Sequence, residues 1–280
     1  MLGSLRRHRS YLVTLSIALL SLVLVPGCIV VVGGRGHSDW WDEWDDEVQY
    51  DETLVERFSF ELEPGRPVEI NTEIGSVSVT RSDEVQSATV VARINSYSLE
   101  RLHDTTVVAS ERTDATVIEA QWPNARRRHG ESCDLEVVLP ATSSLRVRTD
   151  AGAIEVIGFD SVVDVETEDG QITVRDVSGP VFATTHNGQI VVSQAPGSLA
   201  PVNLFSHRGS IRATLARSFE GALEIQTDRG SITLVNADDL STPATIDTLS
   251  DDFVAMSVGT APDESRIATR RGSITVKFHK

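Results

Sequence analysis

Thr167-Glu168-Asp169-Gly170-Gln171-Ile172-Thr173-Val174 is the phrase on which this 280-residue sequence turns. It returns as Thr185-His186-Asn187-Gly188-Gln189-Ile190, Ser206-His207-Arg208-Gly209-Ser210-Ile211, Thr227-Asp228-Arg229-Gly230-Ser231-Ile232 and Thr269-Arg270-Arg271-Gly272-Ser273-Ile274, with an earlier copy at Thr149-Asp150-Ala151-Gly152-Ala153-Ile154. The glycines at 152, 170 and 188 stand 18 apart; from Gly188 the step is 21, through Gly209 and Gly230 to position 251 and then Gly272. Position 251 is an aspartate, but Thr248 and Phe253 hold the flanking pattern, so 251 counts as a further repeat. A fixed period of this length marks stacked repeats.

Within each repeat, apolar residues alternate with polar ones on both sides of the glycine. Before Gly170 they are Val163 and Val165, and after it Ile172 and Val174; the other copies carry Val, Leu, Ile or Ala at most of these places. Period-two alternation around a turn predicts two strands with one buried face. Glycine suits the corner angles, and the Thr or Ser three residues earlier can bond turn backbone. One such unit cannot offset the entropy of ordering itself, so the units must stack and pair their backbones. The expectation is an all-β parallel β-solenoid, a right-handed β-helix by the crossover rule, with residues 141–280 as its coils. Val68, Ile70, Thr72, Gly75, Val77 and Val79 fit the same template, so Arg66 to Thr80 reads as an outlying coil. The rest of 57–140 has strand character at 88–94, 105–109, 116–120 and 134–139, and is expected as an N-terminal β insert covering one end.

The formal charge of −16 argues against nucleic acid as a partner. Residues 1–27 read as a lipoprotein signal peptide. Arg6, Arg7 and Arg9 precede an apolar run from Tyr11 to Val25, and Val25-Pro26-Gly27-Cys28 resembles a bacterial lipobox. That resemblance implies cleavage before Cys28, lipidation of its sulfur, and, with Ile29 next, sorting to the outer membrane on its periplasmic or surface face. Pro26 departs from the usual small residue. An ordinary secretory signal and an uncleaved anchor from Tyr11 to Val32 are the competing readings. Residues 28–56 read as an acidic, Trp-rich tether, with Trp40, Trp41 and Trp44 set among aspartates and glutamates.

Cys133 alternates in phase with Leu135, Val137 and Leu139, which predicts a buried structural thiol and no catalytic one. Arg126-Arg127-Arg128-His129 lies between two strands and reads as a solvated loop.

The exposed corner before each glycine is the place to look for a site, because stacking brings those side chains together. Asp150, Glu168 and Asp169 could hold a calcium ion, His186 and His207 could neighbour one another, and Arg208 and Arg229 could stack into an anion site. Early corners are acidic and late ones basic, an asymmetry that would favour association of copies. No calcium-loop spacing and no third metal ligand accompanies these residues, so no metal and no cofactor is expected. Carbohydrate-cleaving β-helices need paired carboxylates in a groove, and that pattern is lacking here.

Val137 to Pro140 followed by Leu145-x-Val147-x-Thr149-x-x-Gly152-x-Ile154 and its reiterations resembles the bacterial putative-adhesin domain of unknown function, related to the GIN-like head domain of auto-transporter adhesins. The resemblance spans roughly residues 57–280. It implies an envelope β-solenoid, often lipid-anchored, with no catalytic residues to carry over. The leading expectation is a non-enzymatic, lipid-anchored envelope protein for adhesion or scaffolding. Its partners would be the membrane through the N-terminal lipid, and an envelope glycan, a protein or another copy. The alternatives are a polysaccharide-active β-helix enzyme and an envelope-stress or signalling accessory.

Overall fold

The computed structural model describes residues 31–32 and 52–279. The expected signal peptide at 1–27, Cys28 and the Trp-rich stretch lie outside the described residues. Strand structure enters the expected tether from both ends. In chain order the strands are β1 (Val31–Val32), β2 (Glu52–Glu61), β3 (Val68–Ile74), β4 (Val77–Arg81), β5 (Ser87–Ser96), β6 (Thr106–Glu111), β7 (Thr116–Gln121) and β8 (Ser132–Leu139). The repeats supply β9 (Ser144–Ala151), β10 (Ile154–Ile157), β11 (Val162–Asp169), β12 (Ile172–Val177), β13 (Val181–Asn187), β14 (Ile190–Gln194), β15 (Val202–Arg208) and β16 (Ile211–Leu215). They continue with β17 (Gly221–Thr227), β18 (Ile232–Val235), β19 (Ala244–Leu249), β20 (Phe253–Val258), β21 (Glu264–Arg271) and β22 (Ile274–Phe278). One short helix, α1 (Leu99–Asp104), is capped by Ser98, whose hydroxyl accepts from the Arg101 amide.

These strands form two mixed eleven-stranded sheets facing one core. Each repeat gives the strand before its glycine to one sheet and the strand after it to the other. Along the first sheet, parallel register pairs Ile154 with Ile172, Ile172 with Ile190, Ile190 with Ile211 and Ile211 with Ile274. Along the second, Val147, Val165, Ala183, Leu204 and Ile267 follow one another in the same way. All these side chains are buried. The repeating phrase therefore becomes straight columns of like side chains in the core.

The corner glycines are needed for space. A Cβ on Gly170 would lie 1.9 Å from the carbonyl oxygen of Gly152, and one on Gly230 would lie 2.0 Å from that of Gly272. Neither glycine has a left-handed φ, so close approach of backbones, not corner angles, is the common requirement. The corner hydroxyls behave as expected but bond across coils: Thr185 Oγ1 donates to the Gly170 carbonyl at 3.2 Å and Ser206 Oγ to that of Gly188 at 3.0 Å.

The coil order departs from the chain order at both ends. At the N-terminal end β3 and β4 pair with β9 and β10, as the outlying-coil expectation required, but β7 and β8 pair parallel outside them as a further coil. The antiparallel strands β5, β2 and β1 then extend one sheet and β6 the other. At the other end the last repeat slips inward. Strands β21 and β22 lie between the coil of β15–β16 and the coil of β17–β18.

The repeat expected around Asp251 is not a coil. Strands β19 and β20 form an antiparallel hairpin, and β20 pairs antiparallel with β17. Val254, Met256 and Val258 are buried there in place of the expected Phe253 and Ala255. Two apolar sets of opposite parity compete in this segment; the larger one faces the core, and a one-residue shift turns every side chain over.

Cys133 is fully buried in β8, in phase with Leu135, Val137 and Leu139. The loop Arg126-Arg127-Arg128 leaves Arg126 and Arg128 exposed, as a solvated loop would, but its backbone is engaged. It wraps the buried Glu131, whose carboxylate binds the Arg101 guanidinium, with Nη2 to Oε2 at 2.9 Å, and accepts from the Arg128 amide. Arg101 also donates to the Arg126 carbonyl at 2.8 Å.

Candidate functional site

Between the inward Thr or Ser and the corner glycine, each coil leaves two side chains pointing to solvent. In stacking order the first column runs Asp150, Glu168, His186, His207, Arg270 and Asp228; the second runs Ala151, Asp169, Asn187, Arg208, Arg271 and Arg229. Asp150, Glu168 and Asp169 are exposed at the corners of β9 and β11. The register sets Asp169 beside Ala151 on one side and Asn187 on the other, and Asn187 Nδ2 donates to Asp169 Oδ1 at 2.6 Å. Among the described residues no three His, Cys, Asp or Glu side chains are grouped to hold a metal ion.

His186 and His207 are neighbours, as their spacing implied. Their rings stack with centroids 4.4 Å apart and planes 9° from parallel. Burial, together with His186 and the nearby arginines, pushes the His207 imidazole below its ordinary value, so it is neutral at pH 7.

Arg208 and Arg229 are not neighbours. The inward slip of the last repeat puts Arg271 opposite Arg208, and the Gly272 amide donates to the Arg229 carbonyl at 3.0 Å. The column is therefore three arginines deep, with Arg270 beside it. The charge does not grow more basic to the tip, because the terminal hairpin carries exposed Asp247, Asp251 and Asp252.

A pocket of about 390 Å³ opens on the outer face of the second sheet beside this corner, lined in part by Phe182, Phe205, Gln226, Arg266, Ala268 and Arg270. Period-two alternation places the phenylalanines outside: Val181, Ala183, Val202 and Leu204 point in, leaving Phe182 41% and Phe205 38% exposed. Ala268 sits in register between Phe205 and Gln226, and its small side chain makes the hollow. The outward parity of the two phenylalanines was a signal in the sequence. The place of Ala268 was not, since it depends on the slipped coil.

Several charges on the outer faces pair coil to coil. Arg146 meets Asp164 at 2.8 Å, Arg148 meets Glu166 at 3.2 Å, Arg266 meets Glu224 at 3.3 Å and Arg175 meets Glu155 at 3.1 Å.

No family model matches the chain, and no curated protein matches it. Solved structures similar to it include a putative cell adhesion protein from Clostridium sporogenes ATCC 15579, at 10% identity and TM-score 0.45, covering 80% of this chain and 100% of that chain. A putative adhesin from Bacteroides fragilis NCTC 9343 is similar at 9% identity and TM-score 0.36, covering 80% and 97%. A putative adhesin from Parabacteroides merdae ATCC 43184 is similar at 8% identity and TM-score 0.27, covering 81% and 96%.

Proposed function

We propose that this chain is a non-enzymatic cell-envelope protein, held to the outer membrane by a lipid on Cys28, that presents its stacked coils for adhesion or scaffolding. In this reading the coils wind right-handedly, as parallel crossovers favour. The observation that carries it is the outward layout: each coil spends its inner side chains on the core and repeats its outer ones in straight columns. Such a surface suits a repetitive partner better than a single reacting molecule.

A polysaccharide-cleaving activity is disfavoured by the same columns. The face carboxylates of Asp164, Glu166, Glu224 and Glu155 each meet an arginine. Such pairing occupies the oxygens an acid–base pair would need.

The test is adhesion of cells presenting the full chain, compared with cells carrying the Cys28→Ser variant and with cells lacking the protein. Adhesion and membrane retention should both fall in the variant. Equal adhesion by cells lacking the protein would remove the proposal.

A further inference from the structure

The arginines at the corner differ from four that lie on the sheet faces. Arg146, Arg148, Arg175 and Arg266 each face a carboxylate across one coil spacing. Arg208, Arg271, Arg229 and Arg270 form no ion pair among the described residues; Arg208 reaches only the Asn187 amide oxygen, at 3.4 Å. Parallel stacking holds the first three about 4.8 Å apart per coil. Like charges so placed repel, and an anion bridging them would relieve the repulsion. Guanidinium groups bind carboxylate or phosphate in a fixed fork geometry. The protein as a whole has a formal charge of −16, so this patch runs against its general field.

Beside the patch, the exposed rings of Phe182 and Phe205 border the pocket floored by Ala268, with Arg270 on its rim. Apolar ring faces next to cations suit a ligand with C–H faces and acid groups together. We propose that the corner and pocket bind an anionic glycan, with sugar faces on Phe182 and Phe205 and acid groups on Arg270, Arg271, Arg208 and Arg229. The basic column spans three coils, about 10 Å, with Asp169 on one side, the acidic hairpin on the other, and Asp228 beside Arg270 at the pocket edge. That length holds two or three sugars and repels a longer densely charged polymer. This inference rests on the display function proposed above and names the class of ligand it takes.

The experiment is calorimetric titration of the full chain with trigalacturonate, its methyl ester, tripolyphosphate and a short oligothymidylate. The wild type, Arg270→Gln/Arg271→Gln and Phe205→Ala proteins are compared, each first shown to keep its cooperative thermal transition. Trigalacturonate should bind, and its methyl ester at least tenfold more weakly. The double arginine variant should lose at least tenfold and Phe205→Ala about fivefold. Absence of trigalacturonate binding overturns the proposal. Tripolyphosphate binding that matches trigalacturonate and ignores Phe205→Ala makes this a small-anion site and also overturns it. Tighter binding of the oligothymidylate overturns it in favour of nucleic acid. Adhesion that persists in presenting cells while trigalacturonate fails to bind would sink this inference and leave the display function standing. Binding without adhesion would do the reverse.

Discussion

A methyl group added at Gly188 would sit 1.8 Å from the carbonyl oxygen of Gly170, one coil away. Backbone lies on both sides of that contact, so no rotamer change can relieve it. The Gly188→Ala variant should lose about 3 kcal/mol, read as a lowered midpoint in urea. Gln189→Ala, at the half-buried next position, should change stability by about 0.5 kcal/mol or less. Equal midpoints for the two variants would mean that the coils can spread at the corner.

The slipped last repeat gives the second prediction. Among the described residues, strand pairing between the coil of β15–β16 and the coil of β17–β18 runs through β21 and β22. Removing residues 259–280 should therefore leave β18 without a partner and β17 paired with β20 alone, although both precede the cut. Hydrogen exchange should show loss of amide protection from Ile232 to Val235, and β13–β14 should stay protected. Intact protection in β18 would require it to pair directly with β16.

The two halves of that prediction differ in how far they could be read from residue order. Ile172, Ile190 and Ile211 repeat at fixed steps and stack in those steps, because consecutive coils of like pattern pair most simply with each other. Gly230 and Gly272 carry the same template, so alternation cannot say which one follows Gly209; only the fit of the terminal hairpin against β17 decides. The same ambiguity hid the position of Arg271 between Arg208 and Arg229, and of Ala268 beside Phe205. At β20 the alternation was legible but doubly so, with Phe253 and Ala255 on one parity and Val254, Met256 and Val258 on the other. The His186–His207 stack was within reach because it lies between two coils that are also consecutive in the chain.

Glu131 gives a prediction in acid. Hydrogen bonding to Arg101, foremost, holds its carboxyl below the ordinary value of 4.5, with the Arg128 amide and Ser96 hydroxyl adding to the effect. A depressed carboxyl stabilises the fold above its unfolded value, and that contribution disappears as pH falls through the folded value. Glu131→Gln should be less stable than wild type at pH 7, and its stability should fall less steeply below about pH 4.5. Parallel acid-unfolding curves for the two proteins would mean that the pair contributes nothing.

Cys133 gives a prediction about reactivity. Burial first, and then the charges of Asp134 and Glu56, push its thiol up to about 12. The thiolate is the reactive form, so the folded protein should not be labelled at this position by iodoacetamide at pH 8. Labelling should become complete in denaturant. Rapid labelling under native conditions would show that β8 opens easily and is not held between β4 and β5.

His207 gives the last prediction. Its neighbours in the column are His186 on one side and Arg270 on the other, with Arg208 and Arg271 in the adjoining column. Burial and these cations disfavour its protonated form, placing the folded value below the ordinary 6.5. The unfolded chain then binds the proton more readily, so stability is fully present above the unfolded value and declines as pH falls through 6.5 toward the lower folded value. Replacing His207 by Asn removes that proton from the balance. Between about pH 7 and 5, His207→Asn should lose less stability than wild type, as measured by urea midpoints at each pH. His186→Asn should also reduce the loss, because it removes one of the charges that His207 would face. An unchanged pH slope in both variants would show that the stacked pair does not sense protons, and that acid sensitivity in this range originates elsewhere.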